Sequence, residues 1–508
     1  MKVYLIKASA GSSYSQYKAE TGGPPQNIFS AAAAMPQGSK IDMCDETIGM
    51  KTDFKSNADV VAVFMSTPDA YRAYEICEKF KKQGKVTLLG GLHTFFFQEE
   101  AAQHADAILI GESEGLWETI FDDIKKDTLK PVYKRSKPLD LAELKPYPTN
   151  IIPVSKYNWT WSVVVSRGCP MHCDFCLVHQ FFDKFTLRPV EHVVNELKKL
   201  KKLGVEWVEL HSDNLTHNRK YAFELFEALA SLNMNFYGET TILIAMDKAL
   251  LEAAQKAGVK TLLFGIETPS EEALKEQGKD FVKPSQIKEY VQIVKDHGIE
   301  VVGDFLFGFD AHDTGIFEQT TNFIREVGVD TAYPHLMIPF PGSETYKKLD
   351  NEGRILSKDW SKYDGSHAVY QPAKMSPEEL EIGTWEVDRK INKWNSQKKP
   401  TAPNLKDTTP KAGSNLLRKS TSFKWKTFIA LLLLPPAIYF NYANFYFAAL
   451  FLFWSIHGIK KGHTFFLDDF DKKETPFMFW LISILWLLLS LWSLFYSEPV
   501  LMWLYYAY

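Results

Sequence analysis

Cysteine is scarce in this chain, with five among 508 residues. So few cysteines in so long a chain exclude the disulfide framework typical of small secreted domains. The chain also lacks an excess of positive charge, because its formal net charge is −4. A basic footprint for nucleic acid is therefore absent, and we expect no nucleic-acid partner.

Three of the five cysteines lie within eight residues, in the segment 169–176 that reads Cys-Pro-Met-His-Cys-Asp-Phe-Cys. Cys44 and Cys77 have no partner at ligand spacing and are expected to be ordinary buried residues. Three neighbouring thiols cannot all pair as disulfides, whereas thiolates are soft ligands for iron–sulfur clusters, copper(I) or zinc. His172 and His179 keep open a zinc site of three cysteines and one histidine.

The spacing of Cys169, Cys173 and Cys176, with Phe175 just before the third cysteine, resembles the signature of the radical S-adenosylmethionine (SAM) enzymes. The resemblance implies a [4Fe-4S] cluster held by these three cysteines, with one iron left open for SAM. It also implies that reduction of bound SAM gives methionine and a 5′-deoxyadenosyl radical, which abstracts hydrogen from an unactivated carbon.

Apolar segments alternate with segments of helical periodicity around and after the cysteines. Strands are predicted at 161–165, 205–210, 235–240, 260–265, 300–307 and 330–338. Helices are predicted at 190–203, 221–232, 248–257, 286–297 and 316–327. Glycines expected to end helices are Gly204, Gly258, Gly298 and Gly328. This alternation predicts a parallel α/β sheet, and the resemblance extends to a partial (β/α)6 radical SAM barrel with its chemistry at the carboxyl ends of the strands.

The same resemblance implies contacts to SAM at the strand ends. Gly265 and Glu267 look like the family's fourth-strand segment, although 268–271 is also a good helix start. The Gly-Gly-Glu sequence that many relatives use is absent, and Glu239 and Thr240 are candidates to replace it. The implied SAM contacts are Phe175, Asp213, Glu239, Thr240, Gly265, Glu267 and Asp304.

The later strand ends provide weaker candidates. Tyr333 and His335 end the sixth strand and are candidates to face the substrate, although a strand histidine is more often structural. Residues 303–308 and 338–343 resemble strand ends of the family's cobalamin-associated branch. The Pro-Phe-Pro-Gly stretch within the second of these is also explained by a rigid turn.

Residues 1–130 predict a doubly wound, Rossmann-like domain with strands at 3–6, 40–43, 60–64, 86–89 and 107–110. Placed before the barrel, it resembles the cobalamin-binding domain of the branch that includes the anaerobic Mg-protoporphyrin cyclase and many methyltransferases. The implied cobalamin contacts are Gly90, Gly91, His93, Gly111 and Glu112. The Asp-x-His-x-x-Gly motif is absent, so any cobalamin is expected to bind without that histidine. The alternative is a domain that only packs against the barrel.

The remaining segments predict linkers and a membrane anchor. Residues 131–155 are interpreted as a connector, 156–395 as the barrel with a C-terminal extension, and 396–423 as a flexible linker. No Asp, Glu, Lys or Arg occurs between Thr427 and Ile459, and a second charge-free run covers 477–495. Both runs are long enough to cross a bilayer, so 424–508 is predicted to form transmembrane helices.

The membrane topology stays open at this stage. Basic residues at 418–426 place the preceding side in the cytoplasm, and lysines at 460–473 indicate the same side. Both assignments cannot hold if the first run crosses once, and Pro435, Pro436, Asn441 and Asn444 are compatible with a re-entrant pair. With no N-terminal signal peptide evident, the chain is predicted to be a multi-pass protein of the cytoplasmic (inner) membrane with its catalytic domains in the cytoplasm.

These features predict a membrane-anchored radical SAM enzyme that functionalises a C–H bond. Cobalamin-dependent methyl transfer to an apolar lipid, isoprenoid or tetrapyrrole is favoured, with a reduced flavodoxin- or ferredoxin-type electron donor. Two alternatives remain. One is a cobalamin-independent radical SAM cyclase or oxidoreductase, and the other is a non-catalytic membrane iron–sulfur protein of electron transfer or sensing.

Overall fold

The computed structural model describes residues 1–11, 23–157 and 160–395, together with 463–465 and 469–471. The chain divides into two compact units, Met1–Thr409 and Pro410–Tyr508. The division falls inside the segment 396–423 that the sequence predicts to be a linker. The described residues of the first unit form two six-stranded sheets, and each sheet is parallel throughout.

The first sheet consists of β1 (Lys2–Lys7), β2 (Lys40–Asp45), β3 (Val60–Met65), β4 (Val86–Gly91), β5 (Ala107–Ile110) and β6 (Val132–Lys134). The strands lie in the order β2-β1-β3-β4-β5-β6. The order reverses direction between β1 and β3, as in a doubly wound sheet. The predicted Rossmann-like architecture of this part of the chain is thus confirmed.

Five helices of the described residues accompany this sheet: α1 (Gln26–Ala34), α2 (Ala70–Lys81), α3 (Leu92–Phe96), α4 (Gln98–Ala101) and α5 (Trp117–Lys125). All six residues of β3, Val-Val-Ala-Val-Phe-Met, are buried. A continuous apolar strand of this kind is typical of a parallel sheet covered on both faces. In α2 the buried residues Ala73, Ile76, Cys77 and Phe80 recur at helical spacing, so one face of the helix packs inward.

Strand β6 was not predicted, because it lies in the segment 131–155 interpreted as a connector. Only its middle residue, Tyr133, is buried, and the strand is three residues long. It pairs in parallel with β5 through Val132 to Lys134 and so forms an edge of the sheet. A short edge strand with exposed flanks gives little apolar periodicity, which explains why sequence reasoning missed it.

The second sheet consists of β7 (Thr160–Val164), β10 (Trp207–His211), β11 (Asn235–Glu239), β12 (Val259–Glu267), β13 (Glu300–Phe307) and β14 (Thr331–Leu336); between the first two come β8 (Ser166–Arg167) and β9 (Thr186–Leu187). The six parallel strands lie in sequence order from β7 to β14. Strands β8 and β9 form a separate antiparallel pair. All six predicted barrel strands are confirmed, with ends that shift by up to a few residues.

The accompanying helices are α6 (Val178–Phe181), α7 (Val190–Lys202), α8 (Arg219–Leu229), α9 (Lys248–Ala257), α10 (Glu271–Glu276), α11 (Pro284–Asp296), α12 (Ile316–Val327), α13 (Glu344–Asn351) and α14 (Pro377–Asn395). Short 3₁₀ helices occupy Glu46–Ile48, Thr67–Asp69, Leu141–Glu143, Val154–Tyr157, Ala230–Leu232, Ile242–Met246 and Trp360–Lys362. Gly258 and Gly328 are left-handed caps with φ of 95° and 75°. These two glycines end their helices where the sequence predicts.

Strands β10, β11 and β13 of the barrel are buried on one face and less buried on the other. Along β13, from Glu300 to Phe307, partly buried and buried residues alternate strictly. The buried positions, such as Val301 and Phe305, belong to the apolar core. The partly buried positions include Asp304, and they form the inner face of the barrel.

The predicted linker and most of the predicted membrane segment, 424–508, lie outside the described residues. Two short pieces of that segment are described, β15 (His463–Phe465) and β16 (Asp469–Asp471), and they pair antiparallel. Among the described residues, no helix combines the length and apolar character that a membrane crossing requires. The predicted anchor stays a prediction.

Candidate active site at the cysteine loop

The cysteines lie on the loop between β8 and β9, directly after the first barrel strand. Gly168 opens this loop with a φ of 84°. A Cβ at this position would lie 2.7 Å from the backbone oxygen of Lys184, so both the conformation and the space require glycine. The first cysteine thereby follows a sharp turn at the carboxyl end of the barrel, where catalytic residues of such folds collect.

The residues that follow β10 hold the cysteine loop in place. The Gly168 N–H donates to Asp213 Oδ2 at 2.9 Å. The hydroxyls of Ser166 and Ser212 lie 2.5 Å apart, and the Asn214 side chain hydrogen-bonds the Cys169 thiol. Asp213, which the family resemblance assigns to SAM, is thus placed where it orients the cysteine loop.

The three thiols lie close enough to act electrostatically on one another. Burial raises the pKa of the Cys176 thiol to about 12, and the neighbouring Cys173 and Cys169 contribute to that rise. Burial likewise raises the pKa values of Cys169 and Cys173. Three grouped thiols that resist ionisation are matched to bound iron, because metal ligation supplies the positive charge that thiolates need. The donor set therefore fits a cluster.

The spacing of these groups does not favour a single metal ion. Within the described ranges, no three His, Cys, Asp or Glu side chains converge closely enough to hold one ion. A zinc site would require four ligands at about 2.0–2.3 Å. His172 and His179 instead pack edge to face, with ring centroids 4.9 Å apart. A cubane, in which each thiolate binds its own iron, accepts a wider separation of the sulfur atoms.

A buried ion pair forms the wall facing Cys173. Lys279 Nζ lies 2.5 Å from Glu267 Oε1 and 5.8 Å from the ring centroid of Phe175. Burial alone would lower the pKa of the Lys279 ammonium, but Glu267 and Cys173 raise it above its usual value. Lys279 is therefore a fixed positive charge beside the cysteines.

Glu267 adopts an unusual backbone conformation, with a φ of 64°. The register of β12 against β13 shifts between Gly265 and Glu267, so a bulge turns the carboxylate toward Lys279. A Cβ on Gly265 would collide with Glu267 Oε1 and Lys279 Nζ. The glycine therefore makes room for this ion pair, whereas the sequence interpretation gave that space to a ligand. Left-handed backbone at a buried acid is the kind of strain that collects at functional sites.

A buried histidine joins the ends of β12 and β13. His312 Nδ1 accepts the Gly308 N–H at 3.3 Å, and Nε2 lies 3.0 Å from Thr268 Oγ1. Since Nδ1 is an acceptor, the proton resides on Nε2 and is donated to the threonine. Burial lowers the pKa of His312 to about 4, so the ring is neutral at pH 7. Phe309 continues this wall and packs 5.9 Å from Phe175.

Glu239 and Thr240 mark the end of β11 on the same rim. Thr240 Oγ1 donates to Asn214 Oδ1 at 3.1 Å and lies 2.5 Å from Thr216 Oγ1. Thr240 therefore ties β11 to the loop that orients Cys169. Glu239 is exposed, and its charge acts on Cys169 and Lys279. Glu239 thus acts on the cysteine loop through its charge and Thr240 through Asn214, and their contact with SAM stays a prediction.

The remaining predicted contacts lie on the inner face of the barrel. Asp304 lies in β13, opposite Gly265 of the neighbouring strand β12 and opposite Tyr333 of the neighbouring strand β14. The rings of Tyr333 and His335 lie nearly parallel, with centroids 6.3 Å apart. All three polar side chains are partly buried, and their contacts with SAM or a substrate stay predictions.

The three glycines predicted to contact cobalamin fall into two classes. A Cβ on Gly91, where φ is 109°, would strike the Met65 backbone, and a Cβ on Gly90 would press on the Phe64 ring. These two glycines are required by the sheet itself. Gly111, with a φ of 75°, has only Phe95 near its Cβ position, at 4.0 Å. The space beside Gly111 is open and fits the backbone approach of a large ligand.

His93 is placed differently from the sequence interpretation, which offered it as a contact for cobalamin. Its side chain is fully buried, with the ring 4.7 Å from Phe97 and 5.4 Å from Trp360. Its Nε2 lies 3.5 Å from Glu100 Oε1. The ring thus faces an aromatic enclosure, because Trp360 from the C-terminal extension packs over it.

A buried guanidinium links the hairpin of β8 and β9 to the residues that follow β5, next to the cysteine loop. Arg167 donates to Glu112 at 2.6 Å and to Glu114 at 2.7 Å. Glu112, predicted as a cobalamin contact, thus bonds to the barrel hairpin. Sequence reasoning missed Arg167, Asn214 and Lys279. Arg167 had a signal, since it precedes the cysteine motif directly, but Lys279 reaches the site only through the fold.

Comparison with known proteins agrees with this geometry. The model of the radical SAM superfamily matches residues 163–324. The chain is 28% identical to bacteriochlorophyllide d C-12(1)-methyltransferase of Chlorobaculum tepidum over 379 residues, covering 73% of this chain and 82% of that protein. It is 27% identical to the hopanoid C-2 methylase of Rhodopseudomonas palustris, covering 66% of each. It is 24% identical to the anaerobic magnesium-protoporphyrin IX monomethyl ester cyclase of Cereibacter sphaeroides, covering 63% and 58%.

A solved structure shares the fold across both sheets. The radical SAM methyltransferase TsrM from Kitasatospora setae, determined with cobalamin and a [4Fe-4S] cluster bound, superposes with a TM-score of 0.58. The two chains are 11% identical, and the match covers 76% of this chain and 88% of TsrM. At this identity the likeness shows that the two chains share a fold over the matched residues.

Proposed function

Because this chain belongs to the radical SAM superfamily, we propose that it is a cobalamin-dependent methyltransferase acting on an apolar substrate at the cytoplasmic membrane. The observation that carries the proposal is the grouping of three thiols, one buried and two partly buried, on one loop at the carboxyl end of the barrel. The open space beside Gly111 in the preceding domain supports a second large cofactor.

Each group at the site has a definite task in this proposal. Cys169, Cys173 and Cys176 hold the cluster, while Asp213 orients their loop. When bound, the cluster supplies the electron that cleaves SAM and cobalamin supplies the methyl group that is transferred. The wall made by Glu267, Lys279 and the Phe175 ring excludes water from the reacting centre and keeps a fixed positive charge beside it.

The substrate class is supported by the relatives and by the sequence. Two relatives are named for methylating bacteriochlorophyllide d and hopanoids. The inner face of this barrel carries both aromatic and polar side chains, among them Tyr333, His335 and Asp304. We therefore propose a polycyclic, largely apolar substrate with polar substituents, such as a tetrapyrrole, an isoprenoid or a lipid.

Membrane anchoring belongs to the same proposal. The charge-free runs 427–459 and 477–495 support anchoring, and the basic residues that precede the first run support a cytoplasmic catalytic part. Reductive cleavage of SAM needs a one-electron donor, for which a reduced flavodoxin or ferredoxin is the proposed source. Fractionation of cells expressing the full chain tests the location: retention in carbonate-washed membranes supports it, and release into the soluble fraction contradicts it.

The activity is tested with the full chain purified anaerobically, reconstituted with iron, sulfide and cobalamin, and reduced with dithionite. SAM carrying a deuterated methyl group is added together with a lipid and pigment extract from host membranes. We expect 5′-deoxyadenosine and an extract component heavier by one labelled methyl group, both detected by mass spectrometry. A Cys176→Ala preparation provides the matched control.

The outcomes separate the alternatives. An unlabelled but oxidised or cyclised product would favour the cyclase or oxidoreductase, for which the cyclase relative is the supporting observation. A loaded cluster that yields no 5′-deoxyadenosine would favour an electron-transfer or sensing protein. If the reconstituted protein shows no corrin absorption spectrum, the proposed dependence on cobalamin is contradicted.

A further inference from the structure

Arg167 is the residue that connects the two candidate cofactor sites. It lies two positions before Cys169, on the hairpin strand that leads into the cysteine loop. Its two acidic partners, Glu112 and Glu114, follow Gly111 at the carboxyl end of β5. The side chain of Arg167 therefore connects the residues at the carboxyl end of β5 to the strand that leads into the cysteine loop.

The contacts of Arg167 use both ends of its guanidinium fork. Nη1 donates to Glu112 Oε1 at 2.6 Å, and Nη2 donates to Glu114 Oε1 at 2.7 Å and to Ser30 Oγ at 3.0 Å. Ser30, in α1, also donates to Glu114. The second oxygen of Glu112 accepts the Leu139 N–H at 2.9 Å. These contacts join three segments to the hairpin that carries Arg167: the loop 112–114, helix α1 and the segment at Leu139.

The three charged side chains are buried, so water can compensate little for the loss of any one of them. The side chains of Arg167, Glu112 and Glu114 are 7%, 13% and 8% exposed. Burial alone would raise the pKa of Glu114, but Arg167 and Ser30 hold it below its usual value. Removing one partner from such a set leaves a buried charge unpaired, so the geometry of the set is strongly enforced.

We propose that Arg167 is a positioning residue that couples the ligand loop at Gly111–Glu114 to the cysteine loop. A ligand seated beside Gly111 shifts or fixes Glu112 and Glu114, and Arg167 transmits that change to the turn at Gly168. Coupling between two binding sites is reciprocal. A loaded cluster must therefore alter the affinity for cobalamin by the same factor by which bound cobalamin alters the affinity for the cluster. This inference rests on the proposed function.

The test measures the Kd of aquacobalamin by absorbance, for the full chain with its cluster loaded and after removal of iron. Coupled sites typically change affinity by about 5-fold or more. We expect such a difference in the wild type and a ratio near one in Arg167→Lys, because lysine keeps the charge but cannot reach both acids with a fork. The matched control is Arg219→Lys, on an exposed ion pair with Asp247, which should keep the wild-type ratio.

A second readout uses the cluster itself. The EPR spectrum of the reduced cluster should respond to added aquacobalamin in the wild type and not in Arg167→Lys. A purely structural role would lower stability and cluster loading without removing this response from the molecules that retain a cluster. Glu112→Gln serves as the second variant, since Glu114 still pairs with Arg167, and it should reduce the affinity ratio partly. If Arg167→Lys fails to fold, Glu112→Gln decides.

The outcomes are distinct. If the wild type binds aquacobalamin with the same Kd in both states, or if Arg167→Lys or Glu112→Gln keeps the full wild-type ratio, the coupling is refuted while the proposed function stands. If the wild type binds no aquacobalamin at all, the cobalamin-dependent function fails and the coupling fails with it.

Discussion

The two parallel sheets of this chain solve the same packing problem in different ways. Strand β3 of the N-terminal sheet is buried along its whole length, from Val60 to Met65. Strand β13 of the barrel alternates between buried and partly buried positions, from Glu300 to Phe307. A sheet covered on both faces offers chemistry only at its strand ends, whereas a barrel also offers its inner face. The candidate residues follow this division.

The largest expected effect separates a cysteine of the loop after the first barrel strand from a cysteine of the N-terminal domain. Cys176→Ala should abolish the visible absorption of the cluster and reduce 5′-deoxyadenosine formation to background, because a cubane held by two thiolates is not retained. Cys77→Ala, at a fully buried cysteine of the N-terminal domain, is the matched control and should keep both. Iron analysis and mass spectrometry provide the measurement. Full SAM cleavage by Cys176→Ala would contradict the site.

A matched pair of valines tests the difference in burial directly. Val63, in β3, is 0% exposed, whereas Val302 lies on the partly buried face of β13. Val63→Thr should reduce the free energy of unfolding by about 1–3 kcal/mol, because its hydroxyl has no partner in an apolar layer. Val302→Thr should cost clearly less, since the inner face already accommodates polar groups. Urea unfolding measures the free energy of unfolding of both variants. Equal losses would contradict the difference in burial between the two strands.

The buried histidine of the barrel predicts a pH dependence. The pKa of His312 is lowered to about 4 in the folded state, against about 6.5 when unfolded. Between these values the unfolded chain binds the extra proton, so stability falls as pH decreases. From pH 7 to pH 5 this residue should account for a loss of about 2 kcal/mol.

The matched variant for that prediction is His312→Gln, which retains hydrogen-bonding groups but does not titrate. Its free energy of unfolding, measured in urea at pH 7 and at pH 5, should change less between the two pH values than that of the wild type. Identical pH dependences would show that folding does not lower the pKa of His312, and they would contradict the prediction.

The smallest effect concerns the two classes of glycine in the N-terminal domain. Gly111→Ala should cost about 1–2 kcal/mol, because φ is 75° there and the added Cβ meets open space. Gly91→Ala should cost more, because its Cβ would also strike the Met65 backbone. Thermal unfolding ranks the two variants. A larger loss for Gly111→Ala would contradict the assignment of the open space.

Local signals in the sequence were sufficient for much of the fold. The cysteine spacing, the alternation of apolar and helical segments, and glycines such as Gly258 and Gly328 act within a few residues, so they predict elements and their ends. Strand β6 was missed because it has three residues, of which only Tyr133 is buried, and so it shows no apolar periodicity. The predicted membrane segment is untested and stays a prediction.

The site was less predictable because its partners come from distant segments. Lys279 reaches Glu267 through a bulge whose position depends on the pairing of β12 with β13. Gly90 and Gly91 were interpreted as ligand glycines, and close contact with β3 also requires glycine at both positions. The difference between a glycine that frees space and one that avoids a collision is decided by neighbours that sequence periodicity does not identify.

The central claim is that three cysteines hold a cluster with one iron open to SAM. The most direct measurement is the EPR spectrum of the dithionite-reduced full chain, recorded with and without added SAM. We expect a [4Fe-4S] signal whose g values shift when SAM is added. A signal that SAM leaves unchanged, or a protein that binds zinc in place of iron, would contradict it.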